Sequence, residues 1–590
     1  MYIKSLEIKN FRNFHNFKID FTDEFQTIIG ENNIGKSNLY WAIRLVLDKD
    51  ISYNSRKLEP KDFYDFKELD INAYILISIE FYDNNLSSKP SFHAIKTSEN
   101  TARISYIYAH KSKFSTVYLE SENIDIKDFE WRLYGGGENI SIEDVEKLNN
   151  ISFKDLEGIN VYYISGFRNI NSELFGSSKS LLTEYCKSRP DSNIELSKVQ
   201  EELINASDKL NKLDFMPNLT EKIQTKNKEI TGPHFNFPIG LGFIHKGDSE
   251  VWNELKLFFN PRPDKNLPLH ILGLGQKNLL YLSLFLSKLK NEECSDEVNI
   301  VLVEEPEAHL HPQLQKILFS NLSQLTNTQV FMSSHSTHIA SNCNNKNLNV
   351  IYKANDGLIK SFSPFNLDLN VGVDNKIKRE IELLKRYLDA TRSELFFSSA
   401  VIFVEGVAEQ FIIPAIADIK YGVKLVEHNV SVVPIHSRYF DPFLRLFQKG
   451  KLELTACAII DGDADECLDE EETRAVTNAK ELEVEERVGV FVGTETLEID
   501  LFPNKETNKE FLKICFENLG HKRSYNNLMN STEGWSSALI KRIDKPVTKG
   551  RFAQELALNI SQEFEVPRYI EEALTFIFKQ RKIDYKNGAK

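Results

Sequence analysis

Cysteine, long apolar runs and positive charge are all scarce in this sequence of 590 residues. The six cysteines are scattered, and they form neither a C-x-x-C pair nor a set with histidine at zinc-ligand spacing. They lie at positions 186, 294, 343, 457, 467 and 515. This pattern argues against disulfides and structural zinc, and it favours the reducing cytoplasm.

Apolar runs stay well short of the roughly 20 residues that a transmembrane helix requires, so we expect no membrane association. The N-terminus reads MYIKSLEIKNF, and its alternating apolar residues are typical of a β-strand rather than a signal peptide. The hydrophobic fraction of 41% and the charged fraction of 27% are those of an ordinary globular protein. A chain of this length exceeds one hydrophobic core, which predicts about two to four domains.

Positive charge is in deficit, and the formal net charge is −14. A protein that binds duplex nucleic acid usually carries a basic face, because neutralising phosphates supplies much of the affinity. A local basic cluster near the C-terminus is compatible with such binding, and a solvated helical surface explains the same cluster equally well. Its members are Lys541, Arg542, Lys545, Lys549, Arg551, Lys579, Arg581 and Lys582.

Hydrophobic periodicity changes along the chain. Residues 1–50 predict strand, turn, strand, loop and helix, and residues 70–165 are rich in the β-branched and aromatic residues of strands. Residues 171–230 have helical apolar spacing with many charges, which predicts a helical hairpin. Its apolar positions fit either a partner helix from another subunit or a packed layer within the chain.

An αβ pattern returns from residue 236 to residue 345, and a helix predicted at 375–399 leads into a new strand. Apolar strands then alternate with helical segments up to residue 503, as in a parallel α/β domain. The remainder of the chain is predicted to be mostly helical.

The octapeptide GENNIGKS at residues 30–37 matches the phosphate-loop motif G-x-x-x-x-G-K-[ST], between an apolar strand and a helix. Its glycines let backbone N–H groups curl around phosphates at a helix N-terminus. We expect Lys36 to reach the β and γ phosphates of ATP and the Ser37 hydroxyl to bind Mg²⁺. The candidate nucleotide-binding residues of the loop are Gly30, Asn32, Asn33, Gly35, Lys36 and Ser37.

The segment VNIVLVEEPEAHLHP at residues 298–312 is an apolar strand that ends in two carboxylates. Beside a phosphate loop, one such acid holds Mg²⁺ and the other acts on the attacking water. We assign Glu304 to the metal and Glu305 to the water. Farther along, the strand in VFMSSHSTHIA ends at His335, which is placed to contact the γ-phosphate.

A glycine-rich turn, LGLGQ at residues 272–276, opens a predicted helix and contains Gly273, Gly275 and Gln276. Its backbone N–H groups would bind the nucleotide held by a second copy of the domain. Taken alone, the segment is better explained as a routine turn before a buried helix. Four such elements in this order nevertheless predict an ATPase.

These motifs resemble the ABC ATPase heads of the structural-maintenance-of-chromosomes and RecF group, and I-x-x-L-x-I-x-N-F-R at residues 3–12 is similar to their first strand. The chain departs from that pattern in its signature, which reads G-L-G-Q instead of S-G-G-Q, and in lacking an assignable Q-loop glutamine. The spacing from Lys36 to Glu304 leaves room for a short helical hairpin but not for long coiled-coil arms. This spacing disfavours a chromosome-bridging protein.

Two further apolar strands end in carboxylates. AVIFVEGVAEQ at residues 400–410 presents Glu405, with Glu409 on the same side of the following helix, and TACAIIDGDADE at 455–466 presents Asp461 and Asp463. The ends of neighbouring parallel strands converge, so these carboxylates are expected to share a pocket with cations between them. Two Mg²⁺ or Mn²⁺ ions about 4 Å apart would clamp the attacking and leaving oxygens of a phosphodiester.

The strand-end acids resemble the Toprim domain of topoisomerases, primases and some nucleases. An ABC head followed by Toprim resembles the overcoming-lysogenization-defect (OLD) nucleases, including the Gabija nuclease subunit and retron-associated members, over nearly the whole chain. The segment ETLEIDLF at 495–502 is similar to the L-E-x-D-L motif of that family, which implies Glu498 and Asp500 as metal ligands. The segment VTKGRFAQELA is similar to its late lysine segment, which implies that Lys549 stabilises charge on the phosphate.

The resemblance also implies DNA cleavage, homodimers or higher homo-oligomers through the helical insertion, and a role in defence against phage. A helicase-like protein, or a retron RNA or DNA encoded alongside, stays open as a partner.

We therefore predict an α/β protein in which an ABC-type ATPase head with a helical dimerisation insertion precedes a Toprim α/β domain with C-terminal helices. The expected boundaries are 1–170 and 236–365 for the head, 171–235 for the insertion, 366–395 for a linker helix, and 396–590 for Toprim. The predicted function is an ATP-binding and ATP-hydrolysing, divalent-metal-dependent DNA endonuclease that nicks DNA or cuts both strands.

Three other functions were weighed. A non-cleaving ATP-driven DNA clamp is disfavoured because the acidic set of the Toprim strands is intact. A topoisomerase needs a nucleophilic tyrosine on a separate DNA-binding domain, and no segment is long enough to supply one. A nuclease acting on RNA stays open, since the metal chemistry is the same.

Overall fold

A computed structural model describes most of the chain. The described residues are 1–22, 25–64, 69–86, 90–114, 124–137, 142–166, 215–243, 255–262, 265–268, 271–289, 297–308, 310–325, 328–342, 347–364, 382, 384, 388, 391–437, 439–462 and 470–586. Most of the predicted helical hairpin, most of the predicted linker helix and Asp463 lie outside these residues.

The strands are numbered in chain order. They are β1 (Tyr2–Phe11), β2 (Phe14–Asp20), β3 (Phe25–Ile29), β4 (Tyr74–Tyr82), β5 (Thr101–His110), β6 (Phe129–Gly135), β7 (Asn149–Ile151), β8 (Ile159–Ile164), β9 (Ile239–Phe243), β10 (Leu255–Arg262), β11 (Lys265–Pro268), β12 (Val298–Glu304), β13 (Thr328–Ser334), β14 (Leu348–Lys353), β15 (Ile359–Phe362), β16 (Ala400–Val404), β17 (Val430–Pro434), β18 (Thr455–Ile460) and β19 (Val488–Val492).

The α-helices are numbered in the same way. They are α1 (Lys36–Leu47), α2 (Phe215–Phe235), α3 (Leu274–Leu289), α4 (Pro312–Leu322), α5 (Thr337–Asn342), α6 (Val407–Tyr421), α7 (Asp441–Leu444), α8 (Glu470–Lys480), α9 (Leu497–Leu501), α10 (Lys509–Asn518), α11 (Lys522–Met529), α12 (Trp535–Arg542), α13 (Lys549–Asn559) and α14 (Arg568–Gln580). No helix among the described residues is long and apolar enough to cross a membrane.

Within the described residues the strands form four sheets. Their orders are β2-β1-β4-β5-β6-β7, β11-β10-β9, β15-β14-β3-β13-β12-β8 and β17-β16-β18-β19. The chain also divides into two compact units: residues 1–7, 20–27 and 37–339 form one, and residues 8–19, 28–36 and 340–590 form the other.

Parallel pairing brings the ends of several strands together in each unit. In the first unit β12 is parallel to β8 and to β13, so that Val303 lies beside Ile164 and Met332. In the second unit β16 is parallel to β17 and to β18, which places Val404 beside Pro434 and Ile459. Residues that follow these strands therefore emerge at a common edge of each sheet.

The sequence of β16, AVIFV, is completely buried. A strand that is covered on both faces needs an unbroken apolar run, and this is the pattern of parallel sheets between helical layers. Helix α6 follows directly and stops at Gly422, whose φ of 70° and N–H donation to the Ala417 and Asp418 carbonyls form a left-handed cap. The strand and the helix therefore meet at a fixed point, residues 405 and 406.

Helices α9 to α14 share one apolar core with β16, β18 and α6. Leu512, Phe552, Leu574 and Ile577 are almost fully buried in it. The structure thus confirms the predicted parallel α/β domain with C-terminal helices.

Phe403 tests the packing on the opposite face of β16, because its buried ring lies 5.5 Å from the ring of Phe443 and 5.8 Å from that of Phe447. We expect Phe403→Ala to lower the free energy of unfolding by about 3–5 kcal/mol, since it leaves a cavity. Urea denaturation followed by circular dichroism measures this change. Leu558→Ala is the control, because Leu558 is 81% exposed and an exposed substitution costs within about 0.5 kcal/mol. If the two substitutions lowered the free energy of unfolding equally, Phe403 would not be packed in a buried core.

Candidate functional sites

The phosphate loop has two positions where only glycine fits. A β carbon at Gly30 would lie 2.2 Å from the Ile351 carbonyl oxygen, and one at Gly35 would lie 2.2 Å from Nδ2 of Asn13. Gly35 also has a φ of 112°, which side chains rarely adopt. The loop is thus held in its curled shape by the Ile351 backbone on one side and by the Asn13 side chain on the other.

Lys36 and the two loop asparagines lie where the motif predicts them. The buried ammonium group of Lys36 donates to the carbonyl oxygens of Gly30 and Glu31, each at 2.8 Å. Asn33 has a left-handed φ of 62°, and Asn32 beside it is exposed. Lys36 therefore spans the inside of the loop, which is where a nucleotide phosphate would lie.

Ser37 and Glu304 come together although 267 positions separate them in the sequence. The Ser37 hydroxyl donates to Oε1 of Glu304, and the Tyr163 hydroxyl donates to Oε2. Burial and then the Glu304 carboxylate raise the pKa of Tyr163 to about 12, so the phenol stays a donor at neutral pH. A hydroxyl and a carboxylate in contact are a fitting pair of ligands for Mg²⁺.

Glu305 and His335 form the second pair at this edge. His335 Nε2 lies 2.8 Å from Oε1 of Glu305, and both line a cavity of about 390 Å³ at the ends of β12 and β13. Glu305 has a φ of 43°, an unfavourable conformation for a side chain with a β carbon. The strained backbone turns this carboxylate away from Glu304 and toward His335.

Glu307 is a residue of this site that the sequence analysis missed. Its carboxylate is buried, and Oε1 accepts hydrogen bonds from the Ser334 hydroxyl at 2.6 Å and from the backbone N–H of His335 at 3.0 Å. Burial raises the pKa of Glu307. The carboxylate fixes the end of β13 and so fixes the position of His335. The sequence signal that could have identified Glu307 is its position as the last residue of the E-E-P-E motif at residues 304–307.

The glycine-rich turn opens helix α3 as predicted. Gly273 and Gln276 are exposed, and Gly275 is half-buried. Oε1 of Gln276 accepts from the backbone N–H of Gly273 at 3.4 Å, across the first turn. The turn therefore presents backbone groups at the surface, and its contact with a second nucleotide stays a prediction.

The second site is a cavity of about 420 Å³ at the ends of β16, β17 and β18. Five of the predicted nuclease residues line it: Glu405, Glu409, Asp461, Glu498 and Lys549. Glu405 and Asp461 follow neighbouring parallel strands, and Oε1 of Glu405 accepts from the Asp461 backbone N–H at 3.0 Å. The strand ends thus converge as their sequences indicated.

Burial dominates the electrostatics of this cavity, and the charges of neighbouring carboxylates add to its effect. Burial, followed by the charges of Glu405 and Glu409, raises the pKa of Asp461 to about 8. Burial also raises the pKa of Glu409, and Glu498 adds to that shift. Both carboxylates therefore bind protons more tightly than ordinary aspartate and glutamate side chains do.

Lys549 is the cation that lines this cavity. Its Nζ lies 3.3 Å from Oε2 of Glu498. Burial lowers the pKa of Lys549, but the charge and hydrogen bond of Glu498 outweigh burial, and the net pKa is raised. The lysine begins helix α13 directly after Thr548, whose φ of 77° is strained for a β-branched residue.

Asp500 occupies a different place from the other predicted ligands. It is not among the residues that line the cavity, and its carboxylate instead accepts from the backbone N–H of Thr494 at 2.9 Å and of Glu495 at 3.2 Å. It therefore shapes the loop between β19 and α9. The predicted role of Asp463 lies outside the described residues.

His436, Ser437 and Tyr569 belong to this region and were also missed. His436 and Ser437 follow β17 and line the cavity, and His436 has a strained φ of 51°. Tyr569 lies in the first turn of α14, and its hydroxyl is close to the carboxylates. His436 and Ser437 could have been predicted only from the parallel pairing of β17 with β16. No local sequence pattern distinguishes Tyr569.

The cavity has the donor set of a divalent-cation site. Carboxylates are the preferred ligands of Mg²⁺ and Mn²⁺, and a bound cation would relieve the repulsion that raises the pKa of Asp461. No three of the described histidine, cysteine, aspartate or glutamate side chains already stand in ligand geometry.

Comparison with known proteins places these sites in a family context. A family model for an AAA ATPase domain matches residues 1–340, and a model for the Toprim domain of overcoming-lysogenization-defect-like proteins matches residues 396–463. Endonuclease GajA from Bacillus cereus strain HuB5-5 is 24% identical over 670 residues, covering 99% of this chain and 90% of that protein.

Two other similarities concern OLD proteins. The OLD nuclease of Thermus scotoductus is 26% identical over 175 residues, covering 29% of this chain and 31% of that protein. The solved C-terminal region of the Burkholderia pseudomallei OLD protein is 25% identical, with a TM-score of 0.27, covering 31% of this chain and 99% of that one. The chain belongs to the AAA ATPase domain family and joins this ATPase domain to a Toprim domain of the OLD type, as its motifs predicted.

Proposed function

We propose that this chain is an ATP-regulated, divalent-metal-dependent DNA endonuclease that cuts at the Toprim cavity. The observation that carries the proposal is the convergence of Glu405, Glu409, Asp461 and Glu498 on one cavity beside Lys549. Acids crowded into one cavity, two of them with a raised pKa and with Lys549 as the lysine among the described lining residues, have little structural use, because their burial and repulsion destabilise the fold. The endonuclease GajA relative, similar over nearly the whole chain, supports the same reaction.

The side chains of the cavity divide the work. Glu405, Glu409, Asp461 and Asp463 would hold the metal, with Glu498 available from α9. Bound there, two Mg²⁺ or Mn²⁺ ions would polarise the phosphodiester and lower the pKa of the attacking water. Lys549, freed from Glu498, would donate to the phosphate oxygen on which charge develops. Exposed Lys545 and Arg551, on either side of Lys549, would contact the DNA backbone.

ATP would bind at the phosphate loop, with Mg²⁺ between Ser37 and Glu304. Glu305 would orient the attacking water, and His335 would contact the γ-phosphate. Gly273, Gly275 and Gln276 would reach the nucleotide of a second copy, which makes a homodimer or higher homo-oligomer part of the proposal. Light scattering of the purified chain with and without ATP tests that assembly.

A role in defence against phage belongs to the same proposal and rests on the family resemblance. It predicts that cells expressing the chain lower the plating efficiency of susceptible phage, whereas cells expressing a variant without cleavage do not.

Glu405→Gln and Glu409→Gln should each reduce metal-dependent cleavage of plasmid DNA at least about 100-fold, because each removes a carboxylate from the metal. Both keep the size of the side chain. Glu563→Gln, an exposed glutamate on a surface turn, is the matched control and should cleave as the wild type does. Equal nicking by all three variants would attribute the activity to a contaminant and remove the proposal's basis.

Lys36→Ala should abolish binding of a fluorescent ATP analogue, because the loop loses the cation that faces the phosphates. Glu305→Gln should retain binding but lower ATP hydrolysis roughly 100-fold, since the attacking water loses its base. Neither residue lines the Toprim cavity, so both variants should cleave DNA as the wild type does when nucleotide is absent. Normal hydrolysis by Glu305→Gln would overturn its assignment.

The raised pKa of Asp461 makes metal affinity depend on pH. In the pH range between the ordinary pKa of an aspartate and pH 8, Asp461 carries a proton in the folded protein. A metal that binds there must displace this proton. We therefore expect Mn²⁺ affinity to rise by up to about tenfold per pH unit below pH 8 and to level off above it.

Calorimetry in two buffers of different ionisation enthalpy counts the proton released, which should be about one at pH 7. The same proton stabilises the metal-free fold at low pH, and this contribution declines as the pH rises toward 8. Asp461→Asn should release no such proton. An equal release from wild type and variant would assign the proton to another group.

A further inference from the structure

Tyr569 is a buried tyrosine whose hydroxyl the proposed chemistry has not used. The side chain is 8% exposed, and its hydroxyl has no hydrogen-bond partner in the part of the chain that the structure describes. A buried hydroxyl without a partner costs about 1–3 kcal/mol. The neighbouring residues of α14, Ile570, Ala573 and Leu574, are apolar and buried, so phenylalanine would serve equally well for packing.

The hydroxyl lies beside the acidic cavity. The carboxylates of Asp461, Asp500, Glu409 and Glu498 all act on it electrostatically. A β carbon at Gly493 would lie 2.5 Å from Oδ2 of Asp500 and 3.2 Å from Cζ of Tyr569, so the phenol reaches the loop that Asp500 shapes. Asp500 is already satisfied by the backbone N–H groups of residues 494 and 495. Gly493 also donates its backbone N–H to the carbonyl oxygen of Ile460 at 2.8 Å, which places the phenol beside the strand end that carries Asp461.

The phenol is a donor and not a nucleophile. Burial, and after it the charges of Asp461 and Asp500, raise the pKa of Tyr569 far above its ordinary value. The phenol therefore keeps its proton at physiological pH and can donate it in a hydrogen bond. What the group can offer is one hydrogen bond to a nearby anion.

We propose that Tyr569 is a positioning residue for the metal site, whose O–H donates to the Asp461 carboxylate when that carboxylate turns to hold a divalent cation. The inference rests on the proposed metal-dependent function. Ligating carboxylates are regularly held by a second hydrogen bond, and its loss weakens metal affinity about 10–100-fold.

The test is Mn²⁺ binding to the full chain, measured by electron paramagnetic resonance with the metal alone. Tyr569→Phe should weaken the affinity about tenfold, while its melting temperature in EDTA stays equal to that of the wild type or rises, because an unpaired hydroxyl has been removed. Raising the Mn²⁺ concentration should restore the maximal cleavage rate. Tyr525→Phe is the matched control, since Tyr525 is 7% exposed and does not line the cavity.

Several outcomes separate the inference from the proposed function. Unchanged affinity in Tyr569→Phe, or equal weakening in Tyr525→Phe, would overturn the role of Tyr569. A lower melting temperature in EDTA together with unchanged affinity would make the tyrosine merely structural. If the wild type binds no Mn²⁺, or if Asp461→Asn binds it as well as the wild type does, the proposed metal site itself fails. In the Asp461→Asn background, Tyr569→Phe should have no additional effect, and an additional tenfold loss would contradict the assigned acceptor.

Discussion

Several carboxylates are crowded together where β16 and β18 end. The Toprim unit must therefore supply enough apolar burial to hold these like charges close to one another. Burial of the acids and repulsion between Glu405, Glu409 and Asp461 oppose folding, and the raised pKa of Asp461 reflects both. The opposing force comes from apolar burial. Strand β16 is fully buried between helical layers, and α6 and α14 pack against the same core. The rigid strands fix the backbone under the acids so that the charges cannot move apart.

The ATPase site also places a carboxylate at the end of a parallel strand, but its negative charge is stabilised differently. Glu304 also ends a buried parallel strand, but its two oxygens accept hydrogen bonds from Ser37 and Tyr163. That carboxylate is satisfied by neutral donors before any ligand binds. In the Toprim cavity several acids lie together, and Lys549 is the only lysine or arginine among the described residues that line it. At the ATPase site, hydrogen bonds therefore hold the carboxylate in place for a metal. At the Toprim site, a metal would be attracted by the uncompensated negative charge of the carboxylates.

Backbone strain is found at both sites. Glu305, His436 and Thr548 all have left-handed φ angles, and each adjoins or contributes a side chain that lines a cavity. Such conformations cost about 1–3 kcal/mol each and persist only where surrounding contacts enforce them. In this protein they reorient the chain directly after β12 and β17 and directly before α13. The strained backbone therefore orients the side chains of Glu305, His436 and Lys549 toward the cavities.

The sequence by itself determined the features whose chemistry is local. The phosphate loop could be recognised because its glycines, lysine and serine are consecutive, and the strand-end acids because apolar runs followed by carboxylates predict parallel strands with a shared edge. Lys549 came from family resemblance, since an exposed lysine at a helix start has no distinctive local signal. The helical insertion and the linker helix stay predictions.

Tertiary structure decided which distant side chains meet. Tyr163 reaches Glu304 because β8 pairs with β12 across more than a hundred residues, and Tyr569 reaches the acidic cavity because α14 packs on the sheet that carries Asp461. Asp500 was assigned to the metal by its motif; in this structure its carboxylate accepts from the backbone N–H groups of Thr494 and Glu495 and from the Thr494 hydroxyl, and its role at the metal stays a prediction. The reason is physical: a motif fixes the spacing of residues within one element, whereas the partner of a side chain depends on how separate elements pack.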